Sequence, residues 1–144
     1  MSSFAVFLAQ PCAKAPARKT EGAAGYDLHA SAKAVATNAG AWVPTGVHVS
    51  LPPASFGLIK VRSSLAARGV EVGAGVIDSD YRGEIKVKVY THAPGAEVEI
   101  EAGERFAQLV IIPLLAPQPS LVSSVEALTL TDRGDGGFGS TGVF

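Results

Sequence analysis

The sequence predicts an all-β protein, a sandwich or jelly roll of short strands, and three features carry that expectation. Sixteen glycines and nine prolines among 144 residues are spread along the chain and cut it into short segments joined by tight turns. Residues 84–90, EIKVKVY, alternate strictly, with Ile85, Val87 and Val89 on one face and Glu84, Lys86, Lys88 and Tyr90 on the other, the pattern of a half-exposed antiparallel strand. No stretch asks for a long helix. The length suits one domain that can bury a core without staples. Twelve basic residues against thirteen acidic ones give a formal charge of −1 without a basic block. That balance excludes a sequence-independent grip on nucleic-acid backbone, so any phosphate binding must be local.

Taken in order, residues 4–8 are a strand and residues 11–20 a loop rich in Pro, Lys and Arg. The apolar run near the N-terminus follows no basic segment and is too short to cross a bilayer, so a soluble chain, cytoplasmic or nuclear and without a membrane partner, is expected. The single cysteine, Cys12, excludes an internal disulfide framework or a thiolate metal cluster and reads as a bystander. In EGAAGYDLHA, residues 21–30, Gly22 and Gly25 flank two alanines ahead of Tyr26 and Asp27. Asp27 is either a turn or cap residue or a carboxylate near a site. Residues 34–43 and 46–51 read as two strands separated by Pro44-Thr45-Gly46, and Pro52-Pro53 ends the second. A strand at 56–61 leads into RSSLAARG, residues 62–69, where Leu65 to Arg68 can make one helical turn closed by Gly69. Arg62, Ser63 and Ser64 there are either an anion site at a helix start or an N-cap with an exposed arginine. After EIKVKVY come a short strand at 97–100 and a longer one at 105–114, which buries Phe106, Leu109 and Ile111. Its amide, Gln108, either faces solvent or reaches a phosphate. The three histidines, His29, His48 and His92, lie in separate strands without ligand spacing and read as structural or surface residues.

Two stretches look chemical. In GAGVIDSDYRG, residues 73–83, Gly73 and Gly75 allow a sharp turn or a flat ligand against the backbone, Val76 and Ile77 form an apolar wall, and Asp78 follows as a carboxylate beside it. That is a candidate general base with Tyr81 presented next to it, or else a decorated turn built on Asp78 and Asp80. The tail, TDRGDGGFGSTGVF, is too glycine-rich to hold a strand or helix alone, yet carries Arg133, Phe138, Ser140 and Thr141. It is better explained as a lid that orders on a nucleotide, with glycine N–H groups and hydroxyls on phosphates and one ring over a base, than as a plain tail.

Five pieces, AGYDL (24–28), VRSSLAARG (61–69), GVIDSDYRGEI (75–85), GERFAQLVI (103–111) and RGDGGFGSTG (133–142), together resemble the trimeric dUTPase family, in order and over nearly the whole chain. The resemblance implies a jelly-roll-like, β-clip subunit with one short helix, comprising a β-domain at 1–132 and a flexible C-terminal arm at 133–144 that closes over the site. It implies a homotrimer whose sites draw on all three subunits, magnesium-dependent hydrolysis of dUTP to dUMP and pyrophosphate, and hence limited uracil incorporation into DNA and a supply of dUMP. By resemblance, Asp78 deprotonates the water that attacks the α-phosphorus and also contacts the 3′-hydroxyl, while Tyr81 lies where a 2′-hydroxyl would be. The backbone from Gly73 through Gly75 and Val76 to Ile77 reads uracil. Arg62, Ser63, Ser64 and Gln108 match phosphate positions, and Asp27 matches an acid near the Mg2+, which the triphosphate mainly holds. Arg133, Phe138, Gly139, Ser140 and Thr141 match the closing arm. Departures are Lys60-Val61 and Ser64 around the arginine-serine pair, where a side chain would limit backbone approach to phosphate, Phe106 for a smaller aliphatic, and the Val143-Phe144 extension. A dCTP deaminase on the same scaffold would need a further acid near the base, and no glutamate stands beside Gly73 to Tyr81. A non-catalytic binding relative would bind dUTP without releasing pyrophosphate.

Overall fold

The computed structural model describes residues 3–143. Their elements are β1 (Ala5–Leu8), β2 (Gly25–His29), β3 (Ala34–Ala36), β4 (Ala41–Pro44), β5 (Val47–Ser50), β6 (Ser55–Val61), α1 (Ser63–Ala67), β7 (Val70–Gly73), β8 (Val76–Asp78), β9 (Lys86–Thr91), β10 (Val98–Ile100) and β11 (Arg105–Pro113). A single 3-10 turn follows at Val125–Ala127. Every strand pair is antiparallel. One sheet runs β2-β11-β6-β8 and a second β4-β9-β7, with two ribbons, β1-β5 and β3-β10. Among the described residues no sheet closes into a barrel.

The core follows from alternation. Along β6, Ser55, Gly57, Ile59 and Val61 are buried while the residues between them are not. Ile85, Val87 and Val89 are almost fully enclosed, as the EIKVKVY pattern requires, and Phe106 and Leu109 of β11 lose all exposure. Phe106 is thus a core residue, and truncating so enclosed a ring costs about 3–5 kcal/mol. Ile111 packs only partly buried against the core. The buried Thr45 hydroxyl donates to the Ile85 carbonyl at 2.6 Å and accepts from Val47 N–H at 3.1 Å, which ties the β4–β5 corner to the start of β9 without an unpaired polar group.

Two expectations need correction. Residues 34–43 are not one strand: the chain turns at Gly40, whose φ is +86°, with Gly40 N–H on the Thr37 carbonyl at 3.0 Å. This turn sends β3 to β10 and β4 to β9, so the two halves serve different sheets. The helix begins earlier than the Leu65 start expected. Arg62 is its N-cap, extended at φ −72° and ψ 153°, and Ser63 and Ser64 lie in the first turn without a side-chain cap. Gly69 does take the left-handed conformation, at φ +80°, beyond the helix end.

Candidate functional site

Asp78 stands at the end of β8, an edge strand paired only with β6, where Asp78 lies opposite Phe56. The turn that delivers β8 is unusual. Ala74 and Gly75 both have positive φ, +63° and +98°, and a Cβ at Gly75 would lie 3.0 Å from the Ile59 carbonyl, so that position requires glycine. The Gly75 carbonyl in turn accepts from Ile59 N–H at 2.7 Å, anchoring the turn to β6. Because β7 and β8 then belong to different sheets, the hairpin opens where β8 leaves β7, and the wall there is apolar: Val76 is 59% exposed.

Beyond Asp78 the chain is stitched into a second fixed turn. Tyr81 N–H donates to the Asp78 carbonyl at 3.1 Å, and the Arg82 guanidinium donates to the carbonyls of Ser79 at 2.7 Å and Tyr81 at 3.0 Å. The Tyr81 hydroxyl donates to the Glu84 carbonyl at 2.8 Å, and a Cβ at Gly83 would collide with that phenol. The ring is held at both ends, by backbone and by this bond, against a glycine that leaves it room. Asp78 and Tyr81 then line one cup of about 610 Å³ with Val76, Ile77, Trp42, Glu84 and Lys86. The cup pairs an apolar wall with two acids, of which Glu84 is 3.7 Å from Lys86 Nζ while Asp78 is exposed at the end of β8.

A separate cleft of about 240 Å³ is lined by Lys19, Ala23, Ala24, Gly25, Asp27, Arg62, Ser63 and Gln108. Strand pairing builds it: Gln108 of β11 stands between Asp27 of β2 and Lys60 of β6. Asp27 lies between two arginines, 3.3 Å from Arg105 Nη1 and 3.6 Å from Arg62 Nε. Two guanidiniums and Lys19 outweigh that one carboxylate, while the first-turn N–H groups of α1, the Ser63 hydroxyl and the Gln108 amide add donors. Such a cleft attracts a polyanion. Ser64 lines neither cavity; it is exposed in regular helical backbone, a conformation that makes no demand for glycine.

The arm keeps to itself. Arg133 Nε donates to the Gly136 carbonyl at 2.8 Å, Gly136 N–H returns to Arg133 at 3.0 Å, and Ser140 N–H bonds Gly137 at 3.0 Å. Arg133, Phe138, Gly139, Ser140 and Thr141 line a third hollow of about 550 Å³ that shares no residue with the other two. Phe138 is fully exposed, with φ +51°. Within one chain, therefore, the expected site residues other than Ser64 and Gly75 fall into three separate groups.

Sequence reasoning missed Trp42, Glu84 and Lys86 in the cup and Lys19 and Arg105 around the cleft. Trp42, Lys86 and Arg105 come from β4, β9 and β11, and Lys19 from a loop, so sheet pairing and loop packing bring them to the cavities, whereas Glu84 follows Tyr81 by three residues in the same turn. Trp42, the one tryptophan, gave the only signal, a large ring on a short strand. Among the described residues no group of three His, Cys, Asp or Glu side chains could cage a metal. Asp27, already shared by two arginines, suits water-mediated contact with a Mg2+ carried by phosphates and does not suit an all-protein site. The Nδ1 atom of His29, two residues beyond Asp27, is buried without a hydrogen-bond partner. Burial foremost, with the nearby Lys14 charge, holds the His29 pKa below its ordinary value.

An apolar cup bearing Asp78 and Glu84 and a cationic cleft rich in donors define a small β-protein equipped for a ligand with a flat half and a polyanionic half, which is the chemistry of a nucleotide. The dUTPase family model matches residues 12–142, and the chain belongs to the dUTPase family. It is 41% identical over 142 residues to the deoxyuridine 5'-triphosphate nucleotidohydrolase of Candida albicans, covering 97% of this chain and 88% of that one. Its fold is similar to that of the Staphylococcus bacteriophage 80alpha dUTPase solved with dUpNHpp, with TM-score 0.84 and 27% identity over 99% of this chain and 100% of that one. A phage phi11 dUTPase mutant, whose structure describes the coordination of a structural Mg(II) ion, is 25% identical with TM-score 0.77 over 87% of this chain and 99% of that one. No helix among the described residues is long and apolar enough to cross a membrane.

Proposed function

We propose that this chain hydrolyses dUTP to dUMP and pyrophosphate, with Asp78 as the general base, in a homotrimer whose sites combine the cup of one subunit, the cleft of another and the arm of a third. The observation that carries this reading is the placement of Asp78 and Tyr81 in one apolar cup, on a hairpin fixed by Gly75 and by the Tyr81–Glu84 hydrogen bond. Gly73 to Ile77 offer backbone groups to the uracil edge. Cytosine would leave those groups unpaired, because its donor and acceptor are exchanged. The Tyr81 ring, pinned over Gly83, closes the space that a 2′-hydroxyl would need. Asp78 takes the proton of the water aimed at the α-phosphorus, a role worth typically ~10²–10⁴-fold.

Arg62, Ser63 and Gln108 receive the phosphates in the cationic cleft, with Ser64 beside them in the first turn of α1. Arg133 and the Ser140-Thr141 backbone close on the terminal phosphate while Phe138 and Gly139 cover the base. When bound with the triphosphate, Mg2+ would neutralise its charge and hold its oxygens, with Asp27 reaching it through water. Shared sites are supported by the separation of cup, cleft and arm hollow within a single chain. They are also supported by the apolar segment between β11 and the arm, where Leu115, Leu121 and Leu130 are each more than 90% exposed.

The test is pyrophosphate release from dUTP with and without magnesium. Turnover that needs the metal and prefers dUTP over UTP and dCTP is expected. Tight dUTP binding without pyrophosphate release would leave only a binding protein, and ammonia released from dCTP would mean a deaminase.

A further inference from the structure

The mechanism above makes no use of Trp42. It lies on β4 opposite Lys88 of β9, its side chain 58% exposed. On that open strand surface Lys88 Nζ stands 5.8 Å from the ring centroid in a cation–π contact. It lines the same cup as Val76, Ile77, Asp78 and Tyr81. Trp42 and β8 belong to different sheets, β4-β9-β7 and β2-β11-β6-β8, so the cup is bounded by both and the indole is the aromatic wall contributed by the first.

We propose that Trp42 contacts the bound nucleotide, packing on the deoxyuridine half, and sets the affinity of the site for it. This rests on the dUTP reading of the cup. The indole offers a large rigid apolar face and has no group that could exchange a proton with Asp78 or its water. It stabilises ground state and transition state alike, and so acts on KM and not on kcat. Truncating an aromatic that stacks on a base weakens binding by about ten-fold.

Because Trp42 is the sole tryptophan, the full-length protein reports on this contact directly. Its emission is titrated, in the presence of magnesium, with dUMP and separately with pyrophosphate, which occupies only the phosphate side. A saturable change with dUMP and none with pyrophosphate is expected. Trp42→Ala should raise KM for dUTP about ten-fold with kcat within about two-fold of wild type, and Trp42→Phe, which keeps a ring, should stay within about three-fold in KM. Unchanged emission at dUMP concentrations that calorimetry shows to saturate the protein would overturn the proposal, as would a Trp42→Ala KM within about two-fold of wild type. If Trp42→Ala does not fold, the wild-type titration decides alone. A wild-type chain that neither turns over dUTP nor binds dUMP would overturn the nucleotide reading together with this one. Turnover with silent emission overturns only the role of Trp42.

Discussion

Asp78 contributes little that the fold needs: among the described residues its carboxylate makes no ion pair, and it is exposed at the end of an edge strand. Asp78→Asn should therefore leave thermal unfolding unchanged and dUMP binding intact while lowering turnover by ~10²–10⁴-fold, because the amide keeps the shape but cannot take a proton. Retained turnover, measured as pyrophosphate release, would remove Asp78 from the role of base. His29 behaves in the opposite way, mattering to stability. Its folded pKa lies below the ordinary 6.5, mainly through burial, so between the two values the unfolded chain holds the extra proton. Stability from this residue is present above about pH 6.5 and is lost as pH falls through the folded pKa. Urea unfolding at fixed protein concentration should show a midpoint that falls between about pH 7.5 and about pH 5, with a shallower fall in His29→Gln. Identical slopes would contradict the assignment. Asp78 and Tyr81 were legible in the sequence because they follow one another along the turn after β8. Trp42, Lys19 and Arg105 were not, because strand pairing and loop packing, not neighbourhood in the chain, bring them to the cavities.

Among the elements, the β7–β8 turn and the arm differ in what they cost the fold. The turn is anchored on both sides, with Gly75 at φ +98° under the Ile59 carbonyl, and it was legible because glycine at that spacing has few other uses. The arm makes hydrogen bonds within itself and leaves Phe138 exposed, so ordering it on the β-domain requires contacts that a ligand can supply. Deleting residues 133–144 should leave the thermal midpoint nearly unchanged and reduce turnover by about ten-fold or more, since the arm carries an arginine and hydroxyls for the phosphates. A truncated chain at full rate would mean that the site is complete without the tail. The split of residues 34–43 into β3 and β4 was hidden, because Asn38, Ala39 and Gly40 interrupt an apolar run that a single strand would also display. So was the first helical residue, since Arg62 and Ser63 serve equally well as cap or as first turn until β11 fixes Arg62 through the Phe106 carbonyl, which accepts its N–H at 3.1 Å.

At the scale of the whole molecule, one chain encloses a cup and a cleft that share no residue, carries a separate arm hollow, and exposes a run of leucines after β11. Assembly from several copies accounts for all of these at once, since partners would both cover the leucines and bring cup, cleft and arm to one ligand. Nothing in composition or periodicity announces this. The motifs named the groups of the site but not how far apart a single chain would leave them. The claim that sites are shared is tested most directly by mixing two inactive chains. Asp78→Asn supplies intact arms, and a chain ending at Asp132 supplies intact cups. Co-expressed, they should form mixed trimers if the proposed assembly holds, and the Asp78 of one chain should then meet the arm of another. Recovery of dUTP turnover well above either parent alone is the result expected. A mixture that forms trimers and stays as inactive as its parents would show that each site takes its base and its arm from the same chain.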